Sequence, residues 1–374
     1  MRIMFVFGTR PEAIKMAPVI LLAKSLPEFE VLVCTTGQHR EMLEQVLTLF
    51  RIRADIDLQL MQTGQTLSTL TGSVVNACSA VYEQHRPELV LVHGDTTTTF
   101  AAALAAYYTK TPVAHVEAGL RTGNPYSPWP EEINRKLTAS LAKLHFAPTE
   151  AARANLLSEG IAPASVHVTG NTVIDALQQT RARIEGDAAL LGDLNRRFEF
   201  LSPERRLLLV TGHRRENFGA GFVGICTSLR ELAQRSDVEI VYPVHLNPNV
   251  KGPVHEMLGN LDNVHLIEPL DYLPFVHLLS RCHLVLTDSG GIQEEAPALG
   301  KPVLVMRDTT ERPEAIQAGT ARLVGTAPET ITRAALELLD YPEQYASMSL
   351  AHNPYGDGQA SRRILSILSQ VRGA

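Results

Sequence analysis

The sequence predicts an α/β protein made of two Rossmann-like, doubly wound domains facing across a cleft. Three observations lead there. Short apolar runs alternate with helical stretches of ten or more residues, the signature of βαβ units and a mostly parallel sheet. That rhythm stops near residue 170, passes through a polar helical stretch, and restarts at Leu207. At 374 residues the chain also exceeds what one hydrophobic core usually serves, so two domains are expected.

In the first half, strand 3–7 hands over through Gly8 to a helix over 13–26, and Pro11 suits that helix's first turn. Strand 31–35, helix 40–50, strand 56–61 and the long helix 67–85 follow, then strand 89–93, helix 96–108 and strand 113–116. Strands 144–147 and 166–169, with helix 149–158 between them, complete the half. The stretch 170–200, with Arg181, Arg183, Glu185, Asp187 and Arg196, carries no strand signal and reads as the crossing between domains. Beyond it come strand 207–211, helix 223–235, strands 239–244 and 264–267, and helix 273–279. Strand 284–286 then breaks at Asp288, Ser289, Gly290 and Gly291. Ser289 is a suitable N-cap, Gln293, Glu294 and Glu295 fall in the first helical turns, and Leu299 and Gly300 close the helix. Strand 302–306 follows, and a final helix over 361–371 comes after a breaker-rich turn at 353–358.

Composition narrows the classes of function. Hydrophobic content of 45% and charged content of 20% suit a soluble globular protein. A net charge of -6 and the lack of any long lysine or arginine run argue against nucleic-acid and membrane partners. The amino terminus reaches charged and turn residues too soon for a signal peptide or a membrane span, so a cytoplasmic location is expected. Cys34, Cys78, Cys226 and Cys282 are scattered without zinc-ligand spacing and read as buried, reduced thiols.

Chemistry-bearing residues gather where strands end, on the rim where open α/β sheets bind ligands. Arg10 and Lys15 lie at the start of the first helix, where the helix dipole alone would disfavour cations, so an anion partner is expected. Asp95 follows strand 89–93, Glu117 follows strand 113–116, and Glu131 lies in the loop 124–132, which holds three prolines and the only tryptophan. Several carboxylates in a partly desolvated site are a means of moving protons, although Asp95 alone could simply cap the helix after it. His93 and His115 beside Asp95 and Glu117 raise a metal-site reading, against which neutral core histidines are the commoner case. In the second half His213, Arg214 and Arg215 end a strand, and the Ser289–Gly290–Gly291 turn can cradle phosphate on its N–H groups. Arg307 and the charges up to Glu314, Arg312 among them, form a second clamp candidate. Gly219, Gly221 and Gly224 match GxGxxG, but eight residues separate Gly219 from the strand end, so no dinucleotide fingerprint is read there.

Ten segments together resemble the non-hydrolysing UDP-N-acetylglucosamine 2-epimerases of bacterial type. They include FGTRPEAIKMAP from Phe7, GQHREML from Gly37, VHGDTTTT from Val92, HVEAGLRTG from His115, PWPEE from Pro128 and GNTVIDAL from Gly170. TGHRREN from Thr211, VYPVHLNPNV from Val241, the 284–314 stretch and NPYGDGQA from Asn353 complete the set. The resemblance implies a fold like that of the GT-B glycosyltransferases, with domains at 1–170 and 171–352 and a terminal segment, 353–374, crossing back to the first domain. It implies a homodimer and interconversion of UDP-GlcNAc and UDP-ManNAc without NAD or metal, supplying ManNAc units for surface polysaccharide. Carried over by position, Asp95, Glu117, Glu131 and His213 would be catalytic. Arg10, Lys15, His213 and the backbone of Ser289, Gly290 and Gly291 would hold the diphosphate. Glu295 would hold the ribose, Arg312 the nucleotide, and Leu270 and Phe275 the uracil, Leu270 through its backbone. Gln38, His39, Arg214 and His245 match the positions of an activating UDP-GlcNAc site. A glycosyltransferase of the same fold and a non-catalytic nucleotide-sugar sensor are the rival readings. The three acids favour elimination and re-addition over both.

Overall fold

The computed structural model describes residues 1–37, 40–62 and 64–372. Two compact units are present, one of Met1–Ala176 with Tyr355–Ala374 and one of Leu177–Pro354. The first is built on β1 (Arg2–Phe7), β2 (Glu30–Thr35), β3 (Ile56–Asp57), β4 (Leu89–His93), β5 (Val113–Val116), β6 (Leu144–Ala147) and β7 (Val166–Val168). The second has β8 (Arg206–Thr211), β9 (Val238–Pro243), β10 (Val264–Ile267), β11 (Leu284–Thr287), β12 (Val303–Val305) and β13 (Ala321–Leu323).

Both sheets wind outward in two directions from a central pair. The orders are β3-β2-β1-β4-β5-β6-β7 and β10-β9-β8-β11-β12-β13, and the strand pairs are parallel. Ile3 lies opposite Leu89 and Phe5 opposite Leu91, while Val285 lies opposite Leu209. Each sheet therefore reverses direction between its first and fourth strands, and in such sheets ligands bind at the carboxyl ends of that pair. Near-continuous apolar runs suit strands covered on both faces. In the second unit Leu208, Val210, Leu286 and Leu304 pack with Phe222, Ile225 and Leu229 of the helix Ala220–Leu232. The four cysteines are buried and free, and burial pushes the thiols of Cys78, Cys226 and Cys282 up to about 12. Among the described residues no helix is long and apolar enough to cross a membrane.

Four local expectations are corrected. The strand expected over 56–61 stops at Asp57, because Gln59 has a left-handed φ of 49° and turns the chain out of the ladder. The helix Glu131–Leu141 escaped the periodicity reading because its buried face is largely polar, with Glu132, Asn134, Arg135 and Thr138 turned inward. Pro248–Leu258 escaped because Pro253 lies inside it. Ser289 does not cap the next helix: Gly291 takes that position, the helix is Ile292–Ala298, and the Ser289 N–H donates to Thr287 Oγ1 at 2.9 Å.

Candidate active site

The carboxyl edge of the first sheet is tied together by Glu12. Its carboxylate accepts from the Gly8 and Thr9 N–H groups at 3.0 and 2.8 Å, and from the Thr96 and Thr99 hydroxyls at 2.7 and 3.0 Å. Burial raises its pKa, and these donors only partly offset that. Glu12 thus joins the turn after β1 to the turn after β4. It closes a capping box with Thr9, which starts the helix Arg10–Ser25 and sets the half-buried Arg10 and the nearly buried Lys15 on the rim.

Glu117 follows β5 in a left-handed conformation, φ 61°, that a non-glycine residue adopts only under constraint. Its side chain is 7% exposed and pairs with the Lys15 ammonium; Asn171 Nδ2 donates to the same oxygen, Oε2, at 2.7 Å. Gly119, φ 92°, makes the turn possible, because a Cβ there would lie 2.2 Å from the Ala152 carbonyl oxygen. His93 Nε2 lies 3.8 Å from Glu117 Oε2. Burial lowers His93 to about 4, with Glu117 pulling the other way and Lys15 adding to the lowering. His115 is lowered to about 3, chiefly by burial, although the hydrogen bond to the Gly94 carbonyl, at 2.7 Å, opposes this. Both histidines are neutral near pH 7. Among the described residues no group of three or more His, Cys, Asp or Glu is arranged to hold a metal ion.

Asp95 follows β4 and does not cap the helix Thr97–Tyr108. Thr96 does, its hydroxyl accepting from the Thr99 N–H at 3.1 Å. Asp95 Oδ2 is instead gripped by Arg135 Nη2 and Nε at 2.7 and 3.0 Å, and Asn134 Nδ2 donates to the Asp95 carbonyl at 2.9 Å. Glu131 opens the helix that carries both partners, one turn before them, and its Oε2 is buried without a hydrogen-bond partner. Glu132, fully buried, accepts from the Thr122 and Gly123 N–H groups and from Arg135 at 3.0, 3.1 and 3.1 Å, fixing the loop after Gly119. A 660 Å³ surface cavity beside β7, lined by Arg153, His167 and Arg362 among others, shares no residue with these acids.

The second unit presents donors instead. Asp288, fully buried after β11, accepts from the His213 and Arg214 N–H groups at 2.9 and 2.8 Å and from Asn217 Nδ2 at 3.2 Å. The turn after β8 is thereby pinned to the turn after β11. His213, lowered by burial although Asp288 opposes it, keeps 43% of its side chain exposed and stacks on exposed His245 at 5.6 Å between ring centres. Gly290 and Gly291 have ordinary φ values, and a Cβ at either would meet at most the Arg214 guanidinium at 3.9 Å. Neither the backbone nor packing requires glycine there, which leaves room for a ligand against the main chain. Arg312 pairs with the buried Glu294, and the Tyr272 hydroxyl donates to Glu295 Oε1 at 3.2 Å. Arg307 bridges Glu216 and Glu311 at 2.5 and 2.7 Å; burial would raise the Glu311 carboxyl, but Arg307 outweighs it and holds it at about 2. Leu270 is half-buried in the loop before the helix Tyr272–Arg281, and Phe275 is half-buried on that helix. Gln38 and His39 lie outside the described residues.

Sequence reading brought out the acids and cations but missed their supports, Glu12, Glu132, Arg135, Asn171 and Asp288. The position of Asp288 at a strand end and the capping-box spacing from Thr9 to Glu12 were the available signals.

Two parallel, doubly wound sheets, one edged with supported carboxylates and the other with N–H donors and cations, make a two-domain α/β fold of the GT-B-like class. Residues 23–369 match the family model for UDP-N-acetylglucosamine 2-epimerase. The chain is 57% identical over 373 residues to the UDP-N-acetylglucosamine 2-epimerase of Salmonella typhimurium, covering 100% of this chain and 99% of that one. It is 56% identical over the same length to that of Escherichia coli strain K12, with the same coverage. The crystal structure of the Neisseria meningitidis enzyme bound to UDP-GlcNAc is similar at a TM-score of 0.93 and 53% identity, over 99% of this chain and 100% of that one. The chain belongs to the UDP-N-acetylglucosamine 2-epimerase family, whose members are isomerases.

Proposed function

We propose that this protein interconverts UDP-N-acetylglucosamine and UDP-N-acetylmannosamine by anti elimination and re-addition of UDP. The observation that carries the reading is Glu117, left-handed in its backbone and gripped at its carboxylate by Lys15 and Asn171 beside neutral His93, with Asp95 clamped at the neighbouring strand end. The C2 hydrogen is barely acidic until the C1–O bond begins to break. As the diphosphate leaves with the bonding pair, oxocarbenium character grows at C1. One carboxylate can then take the C2 proton, and the C–H pair becomes the C1=C2 bond of 2-acetamidoglucal. Return of a UDP oxygen to C1, with a proton delivered to the opposite face of C2, gives the epimer. Asp95, Glu117 and Glu131 supply these proton transfers.

Leaving-group charge falls to the other residues. Arg10, Lys15, His213 and the Ser289, Gly290 and Gly291 N–H groups hold the diphosphate, Glu295 the ribose hydroxyls and Arg312 the nucleotide. The uracil lies against Phe275 and the Leu270 backbone. The reading needs neither NAD nor a metal ion, and the product supplies ManNAc units to polysaccharide synthesis. Arg214 and His245, with Gln38 and His39, accept a second UDP-GlcNAc that activates the enzyme, and the working form is a homodimer. Sedimentation of the purified chain at the mass of a monomer would remove the dimer. UDP-ManNAc turnover indifferent to added UDP-GlcNAc would remove the activating site.

Incubation with UDP-GlcNAc alone in deuterated water, followed by NMR, tests the chemistry. Deuterium at C2, both epimers and traces of free UDP are expected. Unchanged, unlabelled substrate overturns the epimerase reading, and epimerisation without exchange overturns the elimination step.

A further inference from the structure

The chain passes between its two units twice, at Ala176–Leu177 and at Pro354–Tyr355. Within the first unit the two passages are tied together at Asp175, which accepts from the Ala360 and Ser361 N–H groups, and at Asn171. The Asn171 N–H donates to the Tyr355 carbonyl at 2.7 Å, and Tyr355 is fully buried. Gly170 and Gly356 make this approach possible, since a Cβ on Gly356 would lie 3.3 Å from Gly170 Cα. Asn171 is 2% exposed. Its side chain accepts from the Val173 N–H at 3.1 Å, which fixes the amide orientation and leaves Nδ2 to reach Glu117 Oε2 at 2.7 Å. An amide in this orientation donates to the carboxylate without sharing its charge.

Resting on the reading of Glu117 as an acid or base, we infer that Asn171 is the positioning residue for that carboxylate, tying its orientation to the point where the chain crosses between units. Lys15 from the first helix and His93 from β4 also face Glu117. The Lys15 ammonium is a compact point charge with no fixed donor plane, whereas Asn171 is locked by two backbone hydrogen bonds. Of these three groups, the amide is the one whose fixed donor direction selects an orientation of the carboxyl group. Misplacement of a reacting group by about 1 Å costs on the order of 100-fold in rate.

Asn171→Ala tests orientation and the near-isosteric Asn171→Asp tests the contact. The alanine variant should lose roughly 10- to 100-fold in kcat on UDP-GlcNAc with KM within about twofold. The aspartate variant keeps the acceptor for Val173 but places two carboxylates in hydrogen-bond range, so one must hold a proton. Its limb in the pH dependence of kcat should move to higher pH. Its thermal midpoint should rise relative to wild type as the pH is lowered towards that limb, a readout that needs no turnover. A kcat for Asn171→Ala within about threefold of wild type, or Asn171→Asp profiles that superimpose on wild type, overturns the inference. Wild-type protein inert towards UDP-GlcNAc would instead overturn the reading on which it rests.

Discussion

At the ends of β4 and β5 the first unit presents the carboxylates of Asp95 and Glu117, whereas the equivalent edge of the second unit, after β8 and β11, presents N–H groups, His213 and Arg214. The strand order is shared for six strands, so topology alone does not select the chemistry. What differs is the sign of the support beneath. In the first unit Lys15 and Arg135 hold the acids, and in the second Asp288, Glu294 and Glu311 organise the donors and cations. The two acids and the His213 and Arg214 N–H groups are each held by a nearly buried group of opposite charge, which leaves them one defined face to offer a substrate. An edge that moves protons and an edge that holds a leaving diphosphate follow from the same sheet in this way.

Breaking the acid edge should have the largest effect. Glu117→Gln and Asp95→Asn should each lower kcat by roughly 100- to 10,000-fold and abolish C2 exchange in deuterated water, while binding of UDP persists. Normal exchange in either variant removes that residue from the chemistry.

The next largest effect concerns the glycines that the two edges use differently. Gly119→Ala would drive a methyl group to 2.2 Å from the Ala152 carbonyl oxygen and should cost roughly 3 kcal/mol in chemical denaturation. Gly291→Ala meets no protein atom within 4 Å, so stability should hold or rise slightly while KM for UDP-GlcNAc rises about tenfold. A destabilised Gly291→Ala with unchanged KM would show that packing, not a ligand, keeps glycine at that edge.

Acid should separate the units by a smaller margin. Burial holds His93, His115 and His145 at about 4, 3 and 4 in the folded chain, against an ordinary value of 6.5. Between those values the unfolded chain binds the extra protons, so their contribution is complete above pH 6.5 and is lost as the pH falls towards 4. At pH 5 the loss is on the order of 1–2 kcal/mol for each histidine. Glu311, held at about 2, adds stability above the ordinary carboxylate range that is lost only as the pH falls from there towards 2. Burial also lowers His213, His277 and His283 of the second unit, but less, so hydrogen exchange at pH 7 and pH 5, corrected for intrinsic rates, should show protection falling further in the sheet of the first unit than in that of the second. Equal loss in both sheets would count against this order.

Much of this molecule was legible in its sequence. Apolar runs such as Ile3–Phe7 and the breaks after them mark strands and strand ends, because strands buried on both faces need continuous apolar side chains and their turns need glycine or capping residues. The long motifs around Asp95, Glu117, His213 and Ser289 pointed to the family that the comparisons show. Elements with polar inner faces, such as Glu131–Leu141, gave no periodic signal. The pairings that support these groups were invisible for a different reason, since Lys15 meets Glu117 across 102 residues of sequence, Arg135 meets Asp95 across 40, and His213 meets Asp288 across 75. Local pattern determines where a strand stops and which group stands at its end. Which buried partner turns that group towards a substrate depends on contacts between distant segments, and only the folded sheet brings those together.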